Sequence, residues 1–146
     1  MRVCEYRHTR RVEFADTDMA GIAHFSCFFR YVEEAEHAFL RSLGFSVHLP
    51  GDGFALGFPR LSTRCQYEHP VKFEDELEIH LWIRKKGNRS LVYQFKVSKA
   101  GKLIAKGEMA VISCRSYPGR KIEPVPLPES LQEKIEEAPY PALEFK

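Results

Sequence analysis

The sequence predicts an α+β domain in which one long helix lies across an antiparallel sheet of about five strands. Three observations predict it. Residues 25–43 repeat apolar side chains at helical intervals. Four strand-like segments follow in succession, with separators short enough for hairpins. A further strand-like segment precedes the helix, so one sheet can take strands from both sides of it.

Each element has its own signal. Tyr6 to Phe14 mixes polar and β-favouring residues and ends in Val12-Glu13-Phe14, which reads as a first strand. Residues 15–24 carry Asp, Thr and Gly and read as a loop. The helix is expected over Phe25 to Leu43, with apolar positions 25, 28, 29, 32, 35, 39 and 43, Ser26 as its cap and Gly44 as its stop. Phe25, Phe28, Phe29, Tyr31 and Phe39 ring much of its circumference, so it should be covered on several sides. Residues 46–59 are rich in glycine and include Pro50 and Pro59, which suits a long loop with a short turn of helix.

Strands are then expected over 60–67, 76–86, 90–99 and 103–115, with turns at Gly87-Asn88-Arg89 and Ala100-Gly101-Lys102. Leu77, Ile79, Leu81 and Ile83 alternate strictly, as do Phe95 and Val97, giving the sheet one apolar and one largely polar face. Pro118, Pro124, Pro126 and Pro128 exclude regular structure before Glu129; a short helix over 129–137 and a loose Pro-rich tail follow. The whole reads as one domain, 1–146, with its core over about 6–128. This order is that of a hotdog fold, the sheet wrapping the helix, although other helix-on-sheet folds share the pattern.

With 146 residues, 44% apolar and 29% charged, the chain is a globular domain able to bury its own core. A net charge of +2 supplies no extended basic surface, so neither a nucleic acid nor an anionic membrane is expected as partner. Cys4, Cys27, Cys65 and Cys114 show no CxxC and no paired histidines, which argues for reduced thiols and against a metal site. The charged first fourteen residues do not resemble a secretory leader, and no apolar run approaches the roughly 20 residues of a membrane span, so a cytoplasmic location is expected.

Chemistry concentrates in Asp16-Thr17-Asp18-Met19-Ala20-Gly21-Ile22-Ala23-His24-Phe25. A carboxylate in a loop running into an aromatic helix is partly desolvated, and the helix N-terminus beside it favours negative charge. Free N–H groups of the first helical turn can receive an oxyanion. Together these are a kit for acyl transfer. Composition and spacing leave a second reading open, in which the Asp and Thr residues cap the helix and Gly21 supplies a turn.

The run from Val12 to Phe25 resembles the signature of the 4-hydroxybenzoyl-CoA thioesterase family, in the branch with an Asp in the loop before the central helix. The likeness continues in Phe28, Tyr31, Glu33 and Ala35, returns weakly over Tyr67–Leu77, and ends in Pro124-Val125-Pro126-Leu127-Pro128. The resemblance implies a hotdog acyl-CoA thioesterase with no cofactor, hydrolysing a thioester to free acid and CoA. It places the catalytic carboxylate on Asp18, as nucleophile or general base, and the oxyanion donor on the backbone N–H of Phe25. Gly21 matches the glycine that lets backbone approach the thioester, and Asp16 a residue that braces the loop. His24-Phe25 stands where many relatives carry Tyr-His or Trp-Tyr; His24 is either an added polar group of the site or a structural histidine. Cys27 stands where many relatives have Asn or Ser, and lacks an evident base.

In the family, basic residues at the corner Arg84–Ser90 meet the CoA phosphates; Arg89 is the nearest match and Lys86 the second. The same residues also suit a solvated turn. The resemblance further implies a homodimer, with two sites at the interface and dimers often paired into tetramers. Two alternatives accompany the hydrolase: an acyl-thioester-binding hotdog protein without turnover, and a hotdog dehydratase pairing His24 with Glu33, Glu34 or Glu36.

Overall fold

The computed structural model describes residues 1–46, 49–50 and 54–146, with only the backbone at 49–50. Among the described residues, nine strands and two α-helices follow one another as β1 (Glu5–Arg11), α1 (Cys27–Ser42), β2 (Leu49–Pro50), β3 (Ala55–Gly57), β4 (Arg60–Tyr67), β5 (Glu76–Lys86), β6 (Ser90–Lys99), β7 (Lys102–Ile112), β8 (Cys114–Ser116), β9 (Glu123–Pro124) and α2 (Glu129–Gln132). The main sheet is antiparallel with order β1-β5-β6-β7-β4, and α1 packs across it. It is the hotdog architecture.

Alternation settles which face the helix covers. Leu77, Ile79, Leu81 and Ile83 of β5, with Leu91, Tyr93, Phe95 and Val97 of β6, are all buried against α1 residues Phe28, Tyr31, Val32, Ala35 and Phe39. At roughly 1.5–3 kcal/mol per large side chain, this face supplies most of the folding drive. The β6–β7 turn is as tight as its sequence promised: Ala100 and Gly101 both have positive φ, as a two-residue type I′ connection requires.

Four expectations need correction. The first strand ends at Arg11 rather than Phe14, because Val12 turns into the core and bonds the 74–75 turn, and Phe14–Asp16 form a 3-10 turn. Ser26 precedes α1 but makes no side-chain cap. The segments 46–59 and 116–128 are not wholly irregular: β2, β3, β8 and β9 form a small second sheet, whose outermost β9 tolerates Pro124 as an edge strand does. The loop over 46–59 otherwise falls partly outside the described residues.

The C-terminal region departs most. α2 stops at Gln132, and residues 139–146 are not loose: they lie along the outer, polar face of the sheet. Tyr140 stacks edge-on against His80 and Trp82, the Leu143 N–H donates to Gln94, the Lys146 N–H donates to Gln66, and Arg64 lies over the Phe145 ring. Trp82, the one large apolar side chain that β5 points outward, is only 3% exposed beneath this tail. Among the described residues, no helix is long and apolar enough to cross a membrane.

Candidate active site

Asp16 is the anchor of the loop before α1. Its carboxylate, almost fully buried, accepts hydrogen bonds from Arg10 Nη1 at 2.9 Å, the Glu13 N–H at 2.9 Å and the Tyr31 hydroxyl at 3.0 Å. Burial pushes this carboxyl up, but the Glu13 N–H, the Tyr31 hydroxyl and the Arg10 guanidinium outweigh it and hold the pKa below the ordinary Asp value. The Asp16 carbonyl binds the other end of the loop, accepting from the His24 N–H at 2.8 Å and the Cys27 thiol at 3.3 Å. One residue therefore ties β1, α1 and both ends of the loop together.

Between those ends the chain makes a tight turn. Asp18 and Ile22 bond across it (Asp18 N to Ile22 O, 2.9 Å), and Gly21 donates to the Asp18 carbonyl with φ of +79°, a conformation that calls for glycine. A Cβ on Gly21 would meet nothing within 4 Å, so the requirement is conformational rather than steric. Asp18 is exposed, one carboxylate oxygen accepting the Ala20 N–H at 2.8 Å. The partial desolvation expected of this group is not found in the single chain, where Asp18 is exposed.

The Phe25 N–H has no acceptor among the described residues, although its neighbours do: the Ser26 N–H bonds His24 Nδ1 and the Cys27 N–H bonds the His24 carbonyl. Tyr67, from the far edge strand β4, donates its hydroxyl to the Phe25 carbonyl at 2.9 Å and so holds the Phe25–Ser26 peptide, which follows that N–H in the chain. Asp18, Ile22, Ala23, Phe25, Phe28 and the 67–70 segment line one cavity of about 310 Å³. Asp18 and Phe25, whose N–H is free, thus line one recess with apolar walls at Ile22, Ala23 and Phe28 and polar side chains from the end of β4.

The chain matches the description of the thioesterase-like superfamily over residues 12–135. It belongs to that superfamily. A 1,4-dihydroxy-2-naphthoyl-CoA hydrolase of Synechococcus elongatus is 24% identical over 135 residues, covering 92% of this chain and 97% of its own. The structure of a gentisyl-coenzyme A thioesterase superposes with a TM-score of 0.74 at 28% identity, covering 86% of this chain and 98% of the other. A 4-hydroxybenzoyl-CoA thioesterase mutant complexed with 4-hydroxybenzoyl-CoA superposes with a TM-score of 0.76 at 20% identity, covering 88% and 96%, and shares the fold. The resemblance read from residues 12–25 is met, and this chain is a hotdog thioester hydrolase.

In this thioesterase the remaining sequence candidates separate. His24 is exposed, with Nδ1 2.8 Å from the Ser26 hydroxyl and its ring 4.5 Å from that of Phe25, and it is not among the residues lining the cavity. Cys27 is buried, its sulfur held by the Asp16 carbonyl and by Arg30 at 2.9 Å. Glu36, a candidate partner for His24 in dehydratase chemistry, is fully buried in a two-pronged pair with Arg60 at 2.8 and 2.9 Å, and so serves the fold. Arg89 and Lys86 sit at the opposite end of the sheet from Tyr67, six residues along β6 or roughly 20 Å. Lys86 is committed there, its ammonium donating to the Gln132 and Ile135 carbonyls at 3.2 and 2.9 Å. Sequence reasoning gave no role to His69 and Pro70, which the end of β4 carries into the cavity with Tyr67 and Glu68. The weak likeness over residues 67–77 was the available signal.

Proposed function

We propose that this thioesterase hydrolyses an acyl-CoA to free acid and CoA, with Asp18 as the reacting carboxylate and the Phe25 N–H as oxyanion donor. The supporting observation is that these two residues line one cavity and that the Phe25 N–H has no acceptor among the described residues. Two routes fit this arrangement. As general base, Asp18 takes a proton from water, which attacks the thioester carbonyl; as nucleophile, it forms an acyl-enzyme anhydride that water then opens. In both, the carbonyl oxygen becomes an oxyanion before CoA leaves as thiolate, and a fixed peptide N–H stabilises it without reorganising.

The exposed apolar residues favour a homodimer. Phe14, Met19, Phe25, Tyr67 and Phe73 are each more than two-fifths exposed, and all lie on or beside the Asp18 loop. Such a patch marks an interaction surface. β4, the edge strand whose residues Leu61–Arg64 are all exposed, offers a free row of backbone groups next to it. The rings of α1 add nothing to this patch, since Phe28, Tyr31 and Phe39 are already buried within one copy of the chain. A second copy on this patch would desolvate Asp18 and complete the recess, and pairing of dimers into tetramers is compatible with it. Arg89, exposed and without an ion-pair partner among the described residues, is the retained candidate for the CoA phosphates; Lys86 is not.

The Synechococcus relative and the gentisyl-CoA thioesterase are named for hydroxylated aromatic acyl groups, and the apolar walls Ile22, Ala23, Phe25 and Phe28 suit a flat acyl group. The test is a thiol-release assay over short, medium, long and aromatic acyl-CoAs. Turnover of at least one class is expected. An ester bound tightly but never hydrolysed would instead make this a thioester-binding protein.

A further inference from the structure

Asp18 and Phe25 account for the two reacting groups of the cavity but not for its remaining polar lining, which comes from the end of β4. Here Tyr67, Glu68 and His69 line the wall. The Tyr67 hydroxyl is used on the Phe25 carbonyl, and one Glu68 oxygen accepts from Gln66 Nε2 at 2.7 Å. His69 is fixed from three sides. Its backbone N–H shares the Ile104 carbonyl with that of Glu68, Pro70 follows it, and its Nδ1 lies 3.1 Å from the Leu103 carbonyl. A carbonyl only accepts, so Nδ1 carries the hydrogen, and in the neutral ring Nε2 is left with its lone pair. Among the described residues Nε2 has no partner.

The cavity therefore has unequal polarity. Among the side chains that line it, the free groups are acceptors, namely the second oxygens of Asp18 and Glu68 and Nε2 of His69, and the backbone donor assigned to the reaction is the Phe25 N–H. That donor is claimed by the thioester oxygen in the proposed reaction. A ligand that complements what is left brings hydrogen-bond donors, and a carboxylate on the acyl group would face three acceptors. We infer that His69 is a specificity-determining residue, whose Nε2 accepts a hydrogen bond from a hydroxyl on the acyl group. The inference rests on the hydrolase reading for its substrate and adds to it the residue that selects hydroxylated over unsubstituted acyl groups.

The experiment compares benzoyl-CoA with each of the three monohydroxybenzoyl-CoAs, by kcat/KM on the wild-type protein and by calorimetric Kd on the Asp18→Asn background. The best hydroxy ester should exceed benzoyl-CoA by about fivefold, the weight of one neutral hydrogen bond. His69→Ala should bring that ratio close to one, and His69→Gln, which retains an acceptor oxygen, should restore part of it. A wild-type ratio near one, or a ratio unchanged in His69→Ala, overturns the inference. The two ideas fail separately. Binding selectivity that depends on His69, with no turnover of any ester, would sink the hydrolase reading and keep His69; turnover with selectivity indifferent to His69 would do the reverse.

Discussion

Replacing Asp16 by Asn keeps the side-chain shape and removes only the charge, so it isolates what that buried carboxylate contributes. Three donors converge on one oxygen: Arg10 Nη1, the Glu13 N–H and the Tyr31 hydroxyl. Asn can still place its amide oxygen there, and Arg10 keeps Glu34 at 2.8 Å, so no partner is stranded. What is lost is the charge-assisted share, about half of each bond. With charged hydrogen bonds at about 1.5–3 kcal/mol and little additivity among three sharing one atom, the cost is about 2 kcal/mol. For a chain of this size that lowers Tm by about 6 °C. Asp16→Ala should cost more, since the Glu13 N–H and Tyr31 hydroxyl would lose their buried acceptor.

The pH dependence fixes the sign. The folded carboxyl sits below its unfolded value, so its contribution is complete above the unfolded pKa, near 3.9. It fades as pH falls through the folded pKa. Thermal melts of wild type and Asp16→Asn should therefore differ most at neutral pH and converge on acidification below about pH 4. Equal Tm values at pH 7, or a gap that widens in acid, would refute the assignment of Asp16 as an ionised anchor.

Two further outcomes test the packing around the site. Gly107 lies where the Arg64 carbonyl and the Phe95 ring leave no space for a Cβ, so Gly107→Ala should lower the urea midpoint by an amount equivalent to about 3 kcal/mol. An unchanged midpoint would mean that β4 and β7 are not paired in this register. Deletion of residues 139–146 should leave the core folded, since no core residue lies beyond Ile135, but should uncover Trp82. Its fluorescence should shift to the red and become quenchable by acrylamide; an unchanged spectrum would place the tail elsewhere.

Regular elements were legible where a period runs long enough to be counted. β4, β5 and β6 fall on their expected residues, and α1 begins two residues late and ends one early. The strand expected over 103–115 is interrupted at Ser113, so that its last two residues, Cys114 and Arg115, join the small sheet instead. That sheet was illegible because strands of two or three residues carry no period, and their partners are brought together only by the rest of the fold. The tail misled for a related reason: prolines exclude helix, but they do not exclude an extended segment held by Gln66, Gln94 and Trp82. In the site, Asp18 and Phe25 were reached through likeness rather than spacing. Glu68 and His69 were missed because the ladder between β4 and β7, which carries them to the cavity, is a long-range pairing. Lys86 looked available because a sequence shows its charge but not the carbonyls of Gln132 and Ile135 that take it up.

The central claim is that the Asp18 carboxylate performs the chemistry, and Asp18→Asn tests it most directly because the exposed turn keeps its shape when only the charge is removed. Thiol release should be followed on the best ester of the wild-type panel, with kcat and KM separated. The account predicts a fall in kcat of about a thousandfold with KM little changed, the signature of a lost acid–base or nucleophilic group rather than of lost binding. A kcat within tenfold of wild type would contradict it and return Asp18 to the role of a turn residue.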